Sequence, residues 1–232
     1  MIDIAALTAK NRARWSAAKM TRGPEFAMPA RRLVAAKNRY LAVTAKTGVP
    51  WFIIAVIHER ESGQRWDRSL AQGDPWNAVS VHVPRGRGPF KSWEEAAIDA
   101  LAACHPFLAK QKDWTAGPAL THLENYNGLG YANRSIPSPY LWSGTDQYRS
   151  GKYVSDGVFD PNAVDKQFGC AGLILAMRAI DSSVSFGDTN PPVYVPPPPD
   201  IPSQPDIAAP KSGSALVNAI VGILKFLFWK RK

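Results

Sequence analysis

Cysteine is nearly absent. The 232 residues hold two, Cys104 and Cys170, and no Cys-x-x-Cys pair. That excludes a disulfide framework and leaves room for one bridge at most. The opening stretch, MIDIAALTAKNRARW, lacks a continuous apolar core and a small-residue cleavage site, so it does not read as a secretory signal. No internal repeat is visible. Acidic residues are scarce at both ends. Residues 1–48 carry 10 Lys and Arg against Asp3 and Glu25, and residues 211–232 carry five against none. The stretch 49–210 has 13 basic and 17 acidic residues, so the net charge of +9 sits at the termini. Such a distribution suits an anionic polymer or membrane surface, or, more plainly, a solvated basic helix face. None of the usual nucleic-acid-binding motifs is present, and nucleic acid is not an expected partner.

What is there is enough for one sizeable domain: 45% hydrophobic residues and 8 Trp. Helical spacing covers residues 3–20, and again Met28 to Thr47. Pro50 opens a third helix, with Gly63 after its end. Residues 64–91 are rich in Gly and Pro, and only AVSVHV alternates like a strand, so a long loop with a short hairpin is expected. Ser92 with Glu95 three positions on forms a capping box for a fourth helix running to about His105. A fifth spans Trp114 to Asn125, residues 126–160 look loop-like, and a last helix spans about Pro161 to Ile180. The fold class expected is mainly α, with a small β-hairpin or loop lobe. The segment NPPVYVPPPPDIPSQPDIAAP reads as an extended linker. The expected division is basic helices over 1–48, a catalytic domain over 49–185, the linker over 186–211 and a hydrophobic, cationic tail over 212–232.

The third helix raises a chemical question. It is continuously apolar from Trp51 to Ile57 and then ends in His58-Glu59-Arg60-Glu61. Ile54, Ile57, His58 and Glu61 share one face by their i, i+3, i+4, i+7 spacing. Periodicity does not choose between Glu59 and Glu61. The last turn of a helix disfavours another negative charge, and burial acts in the same direction. A carboxyl that keeps its proton near neutrality is what a glycosidase needs to protonate a leaving oxygen. The bland alternative is a fraying helix end paired with Arg60 or Arg65.

AVIHERESG resembles the catalytic helix end of the lysozyme superfamily, in particular goose-type lysozymes and soluble lytic transglycosylases. LENYNGLGY is similar to that superfamily's Tyr-Asn motif. LAQGDPW, HVPRGRGPF, SPYLWSGTDQY and GKYVSDG look like a group of bacterial and phage lysozyme-like proteins. The likeness covers about 50–181. It implies a lysozyme-like α+β fold and cleavage of the β-1,4 bond between N-acetylmuramic acid and N-acetylglucosamine in peptidoglycan. It implies Glu61 as general acid, Ser62 orienting it, and Tyr126, Asn127 and Gly128 shaping the saccharide site. No cofactor or metal is implied. A phage endolysin fits best: a monomer made in the host cytoplasm without a signal peptide and acting on the cell wall.

A second carboxylate would activate water. Asp74 comes first, with a plain turn residue in Gly-Asp-Pro as its alternative; Asp67 comes second. With Glu61 alone, the substrate's 6-hydroxyl would attack and give a 1,6-anhydro product, as in lytic transglycosylases. Among the aromatics of 126–153, Tyr131 and Trp142 are expected to face sugar, and Tyr148 and Tyr153 to fill the core. Two other classes remain open. His58-x-x-Glu61 has a spacing used by zinc peptidases and amidases, with His82, His105 or His122 as the third ligand. A wall-binding module without catalysis is the other. Ala215 to Trp229, about 22 Å long as a helix, is short for a bilayer core of about 30 Å. With Lys225, Lys230, Arg231 and Lys232 it is expected to lie on, or insert shallowly into, membrane lipid or an anionic outer-membrane surface.

Overall fold

The computed structural model describes residues 2–71 and 73–187; the linker beyond Gly187 and the hydrophobic tail lie outside the described residues. Nine α-helices are found among the described residues: α1 Ile4–Ala17, α2 Gly23–Ala35, α3 Lys37–Thr47, α4 Trp51–Ser62, α5 Trp93–Ala102, α6 Ala116–Asn127, α7 Gly130–Asn133, α8 Pro139–Trp142 and α9 Cys170–Arg178. A two-stranded antiparallel sheet, β1 Lys152–Ser155 and β2 Val158–Asp160, pairs Tyr153 with Phe159. The protein is thus mainly helical with one small sheet, and no single described helix is long and apolar enough to cross a membrane.

α4 runs through the middle. Every residue of it except Glu59 is buried. Pro50 presets its entry and Gly63 ends it at φ +60, where its N–H bonds to the Glu59 carbonyl. A left-handed residue at that position is tolerated best as glycine. α3 packs against α4 and α5, α2 against α9, and α1 against α6. The single helix expected over Met28–Thr47 is therefore two. α2 begins earlier, with Pro24 in its first turn, and the chain bends at Ala36 because α2 and α3 cover different partners.

Three other expectations need correction. AVSVHV forms no strand. Val79 and Val81 are exposed, and the backbone N–H groups of Val81 and His82 bond to the Asp74 side chain instead of a neighbouring strand. The hairpin lies at 152–160, inside the stretch that looked like loop. The last helix covers only Cys170–Arg178; before it, Asp165 is bonded to Arg60 and to Gln167 N in non-helical chain. Ser92 does cap α5, accepting from Glu95 N at 3.1 Å while Glu95 bonds back to Lys91 N at 2.7 Å; that helix stops at Ala102.

One hydrophobic cluster unites these parts. It takes Trp15, Phe26, Leu33, Tyr40 and Val43 from the first 48 residues and continues into α4, α5, α6, α8 and α9. The basic N-terminal helices are part of the same core as the helix that carries Glu61. Folded structure also runs past residue 185: the Phe186 ring lies edge-on to Trp15 at 5.1 Å and to Phe52 at 5.5 Å. Cys104 and Cys170 are both buried and unpaired with each other.

Candidate active site

At the end of α4 the two carboxyls separate. Glu61 is 6% exposed and accepts a hydrogen bond at 3.1 Å from the Tyr140 hydroxyl, supplied by α8. Tyr126 and Tyr140 are buried beside it, and burial, with the nearby Glu61 charge, holds both phenols well above their ordinary pKa. Both therefore stay protonated, as donors. Glu59 sits half-buried on the other side, where Gln64 of the helix cap donates to it at 2.7 Å; burial pushes its carboxyl up. Glu61 is thus the carboxyl joined to a distant element, and Glu59 the one tied to its own cap.

Next to Glu61, Arg60 is buried and paired at 3.1 Å with Asp165, itself 5% exposed. Arg60 also bonds the Phe168 carbonyl at 3.3 Å and lies 4.8 Å from the centre of the Tyr140 ring. Tyr148 adds to this frame: its hydroxyl accepts from Asp165 N at 3.0 Å. Breaking such a buried pair on one side leaves an uncompensated charge, so Arg60 and Asp165 hold the hairpin side of the molecule against α4. The Cys170 thiol, buried nearby, is pushed far up by desolvation and is inert.

A second wall comes from the loop after α4. The turn closed by the bond from Ser69 N to the Asp74 carbonyl, 2.8 Å, brings Gly73 against the helix end: a Cβ there would sit 3.9 Å from the Glu61 carbonyl oxygen. The Tyr126 hydroxyl donates to the Leu70 carbonyl at 3.1 Å, fixing that turn to α6. Asp74 is buried and fully engaged. Oδ2 accepts from Val81 N at 2.9 Å and His82 N at 3.0 Å, and Oδ1 meets His82 Nδ1 at 2.6 Å. Burial alone would raise its pKa, but the bonds from His82 and Val81 outweigh it and hold the carboxyl below the usual range. Asp67, the second choice, is exposed and paired with Arg65 at 2.7 Å.

The remaining expected residues divide. Ser62 Oγ donates to the His58 carbonyl at 3.0 Å, within its own helix, and makes no bond to Glu61. Asn127 ends α6 half-exposed, and Gly128 turns the chain there at φ +94. Tyr131 and Trp142, expected to face sugar, are instead packed inside. Trp142 is fully buried in the core, and the Tyr131 hydroxyl accepts from Tyr153 N at 3.2 Å. Tyr148 and Tyr153 are buried, as expected. His58 is a core residue: Nε2 meets the Arg65 carbonyl at 3.0 Å and Nδ1 the Tyr40 hydroxyl at 2.9 Å. A carbonyl can only accept, so Nε2 carries the proton and Nδ1 takes the phenol's. Burial lowers its pKa to about 4. Both nitrogens are committed, and His58 has no lone pair to offer a metal. Among the described residues no cluster of three or more His, Cys, Asp or Glu is placed to hold one.

Tyr140 and Asp165 were not singled out from the sequence, and His82 enters there only as a third metal ligand. The first two reach Glu61 and Arg60 from 79 and 105 residues away, with no local pattern to announce them. His82 had a signal, a histidine eight residues after an Asp in a Gly- and Pro-rich loop, but the strand-like alternation hid it. Comparison with protein-family models, with curated proteins and with solved structures returns no match. The family resemblance rests on the motifs themselves.

Proposed function

We propose that the protein is a peptidoglycan-degrading glycosidase of the lysozyme-like kind, with Glu61 as the general acid. The observation that carries this reading is the placement of Glu61: a nearly buried carboxyl at the end of a core helix, gripped by a phenol from a remote element. Holding a carboxyl in one orientation is what proton delivery to a glycosidic oxygen demands. Arg60 and Asp165 fix the helix end, Tyr140 fixes the carboxyl, and Tyr126 and the 69–74 turn form the adjoining wall. The substrate class comes from the Arg60-Glu61-Ser62 and Tyr126-Asn127 motifs.

The test is lysis of purified peptidoglycan by two isosteric variants. Glu61→Gln removes the transferable proton while keeping an acceptor for Tyr140, and should lower turnover by about a hundredfold or more. Glu59→Gln should retain most activity. The reverse pattern would move the acid to Glu59. EDTA should not inhibit; loss of activity restored by zinc would turn the reading to metal chemistry.

A further inference from the structure

Asp74 is 7% exposed, and both its oxygens are engaged inside its own loop. What it does is hold an imidazole. Its lowered pKa keeps it ionised, and an ionised carboxylate can only accept, so the proton of the 2.6 Å contact sits on His82 Nδ1. The neutral ring then has its lone pair on Nε2. The His82 side chain is 57% exposed, with Nδ1 as the nitrogen that is clamped. The surrounding loop is built to keep it there. Ser80 Oγ donates to the Pro84 carbonyl at 3.0 Å and accepts from Arg87 N at 2.9 Å. Arg87 is paired with Asp99 of α5, and Trp76 Nε1 donates to the Trp66 carbonyl at 2.7 Å. A histidine that is exposed yet fixed in tautomer and position has the form of a general base with its orienting carboxylate. The turn that ends in Asp74 is the one that lies on the Glu61 carbonyl.

We infer that His82 Nε2 is the base for the glycosidic cleavage, that Asp74 is its positioning residue, and that the attacking oxygen is water; the inference rests on the glycosidase reading with Glu61 as acid. In the step, water gives a proton to Nε2 and its oxygen forms a bond to the anomeric carbon. The bond from that carbon to the leaving oxygen breaks, and the leaving oxygen keeps the electron pair and takes the Glu61 proton. The sugar product carries a new reducing end. Glu61 is left as carboxylate and His82 as imidazolium, and solvent returns the proton from one to the other.

The experiment compares purified wild-type protein with His82→Ala, Asp74→Asn and Glu61→Gln on soluble peptidoglycan fragments, with products read by mass spectrometry. His82→Ala should lower kcat by about a hundredfold or more with little change in KM, and imidazole added to the buffer should restore part of it. Asp74→Asn should lose as much, because an amide that keeps the backbone bonds turns its N–H toward Nδ1 and forces the ring proton onto Nε2. Imidazole should not rescue it, since the ring already occupies the place. Glu61→Gln should be inactive with or without imidazole. An active wild type with inactive Glu61→Gln but near-normal His82→Ala overturns the base assignment and leaves the glycosidase reading standing. So does 1,6-anhydromuramic acid as the main product. A wild type that cleaves no glycan overturns both. If His82→Ala melts well below wild type, His82→Gln repeats the comparison, and loss without imidazole rescue in both variants rejects the base.

Discussion

Glu124 is a carboxyl where the fold could have used an amide. It lies on α6 at 1% exposure, facing α1, and accepts from Asn11 Nδ2 at 3.0 Å. Asn11 Oδ1 is buried without a donor among the described residues. Burial raises the Glu124 pKa above its ordinary value. A folded-state pKa above the unfolded one means that the native state binds the proton more tightly, so stability falls as pH rises through that window. Glu124→Gln removes this penalty and offers Asn11 Oδ1 a donor. It should raise the melting temperature at pH 7 by roughly 2–4 °C, if the gain is about 1 kcal/mol. The advantage should shrink as pH falls below neutrality, because the raised wild-type carboxyl then takes up its own proton. Thermal melts of the two proteins across that range check it. Single residues of this kind are poorly legible in a sequence. The apolar run before Glu61 and the Gly63 stop were readable because they are local. The contacts that distinguish Glu61 from Glu59 and tie Asp74 to His82 were not, because they depend on how the chain folds.

At the level of elements, the Phe26 ring of α2 is met by one glycine of α9 and one in the chain just after α8. A Cβ on Gly172 of α9 would fall 2.6 Å from Phe26, and one on Gly144 would fall 2.5 Å from the same ring. Phe26 fills a notch that only glycine leaves open. Gly172→Ala should therefore destabilise by about 1–3 kcal/mol, the usual cost of an added methyl in a packed core. Phe26→Leu in the same chain should recover part of that loss, because the two sites share one space; denaturant midpoints of both single variants and the pair give the coupling. Helix ends followed from Pro50, Gly63 and the Ser92–Glu95 box because caps act within a few residues. The break at Ala36 and the true hairpin did not, since both are set by what packs on them. The alternation in AVSVHV misled because a side-chain acceptor, Asp74, satisfied the backbone that a strand partner would have.

For the molecule as a whole, the uneven charge and the hydrophobic tail bear on where it works. The proposal that residues 212–232 bind lipid predicts that the full chain co-sediments with anionic vesicles and a chain ending at Pro191 does not. Equal binding by both would hand that role to the basic N-terminal helices. Activity of the shortened protein on purified peptidoglycan should be nearly unchanged. Those helices cannot be tested by removal, and the α1–α6 contact explains why. Asn11 bonds to Glu124, 113 residues later. A ribosome adding 5–20 residues per second needs roughly 6–20 s to cover that distance. During this time the stripe of Leu7 and Trp15 has nothing to lie on. α1 thus depends on a helix made long after it, and α6 cannot bury its facing side without α1. Cutting away the first 20 residues would strip α6 and endanger the fold, rather than subtract charge. Reversing exposed Lys10, Arg31 and Lys46, rather than Arg12, which backs onto Gly117 of α6, would change the charge and leave the α1–α6 packing in place.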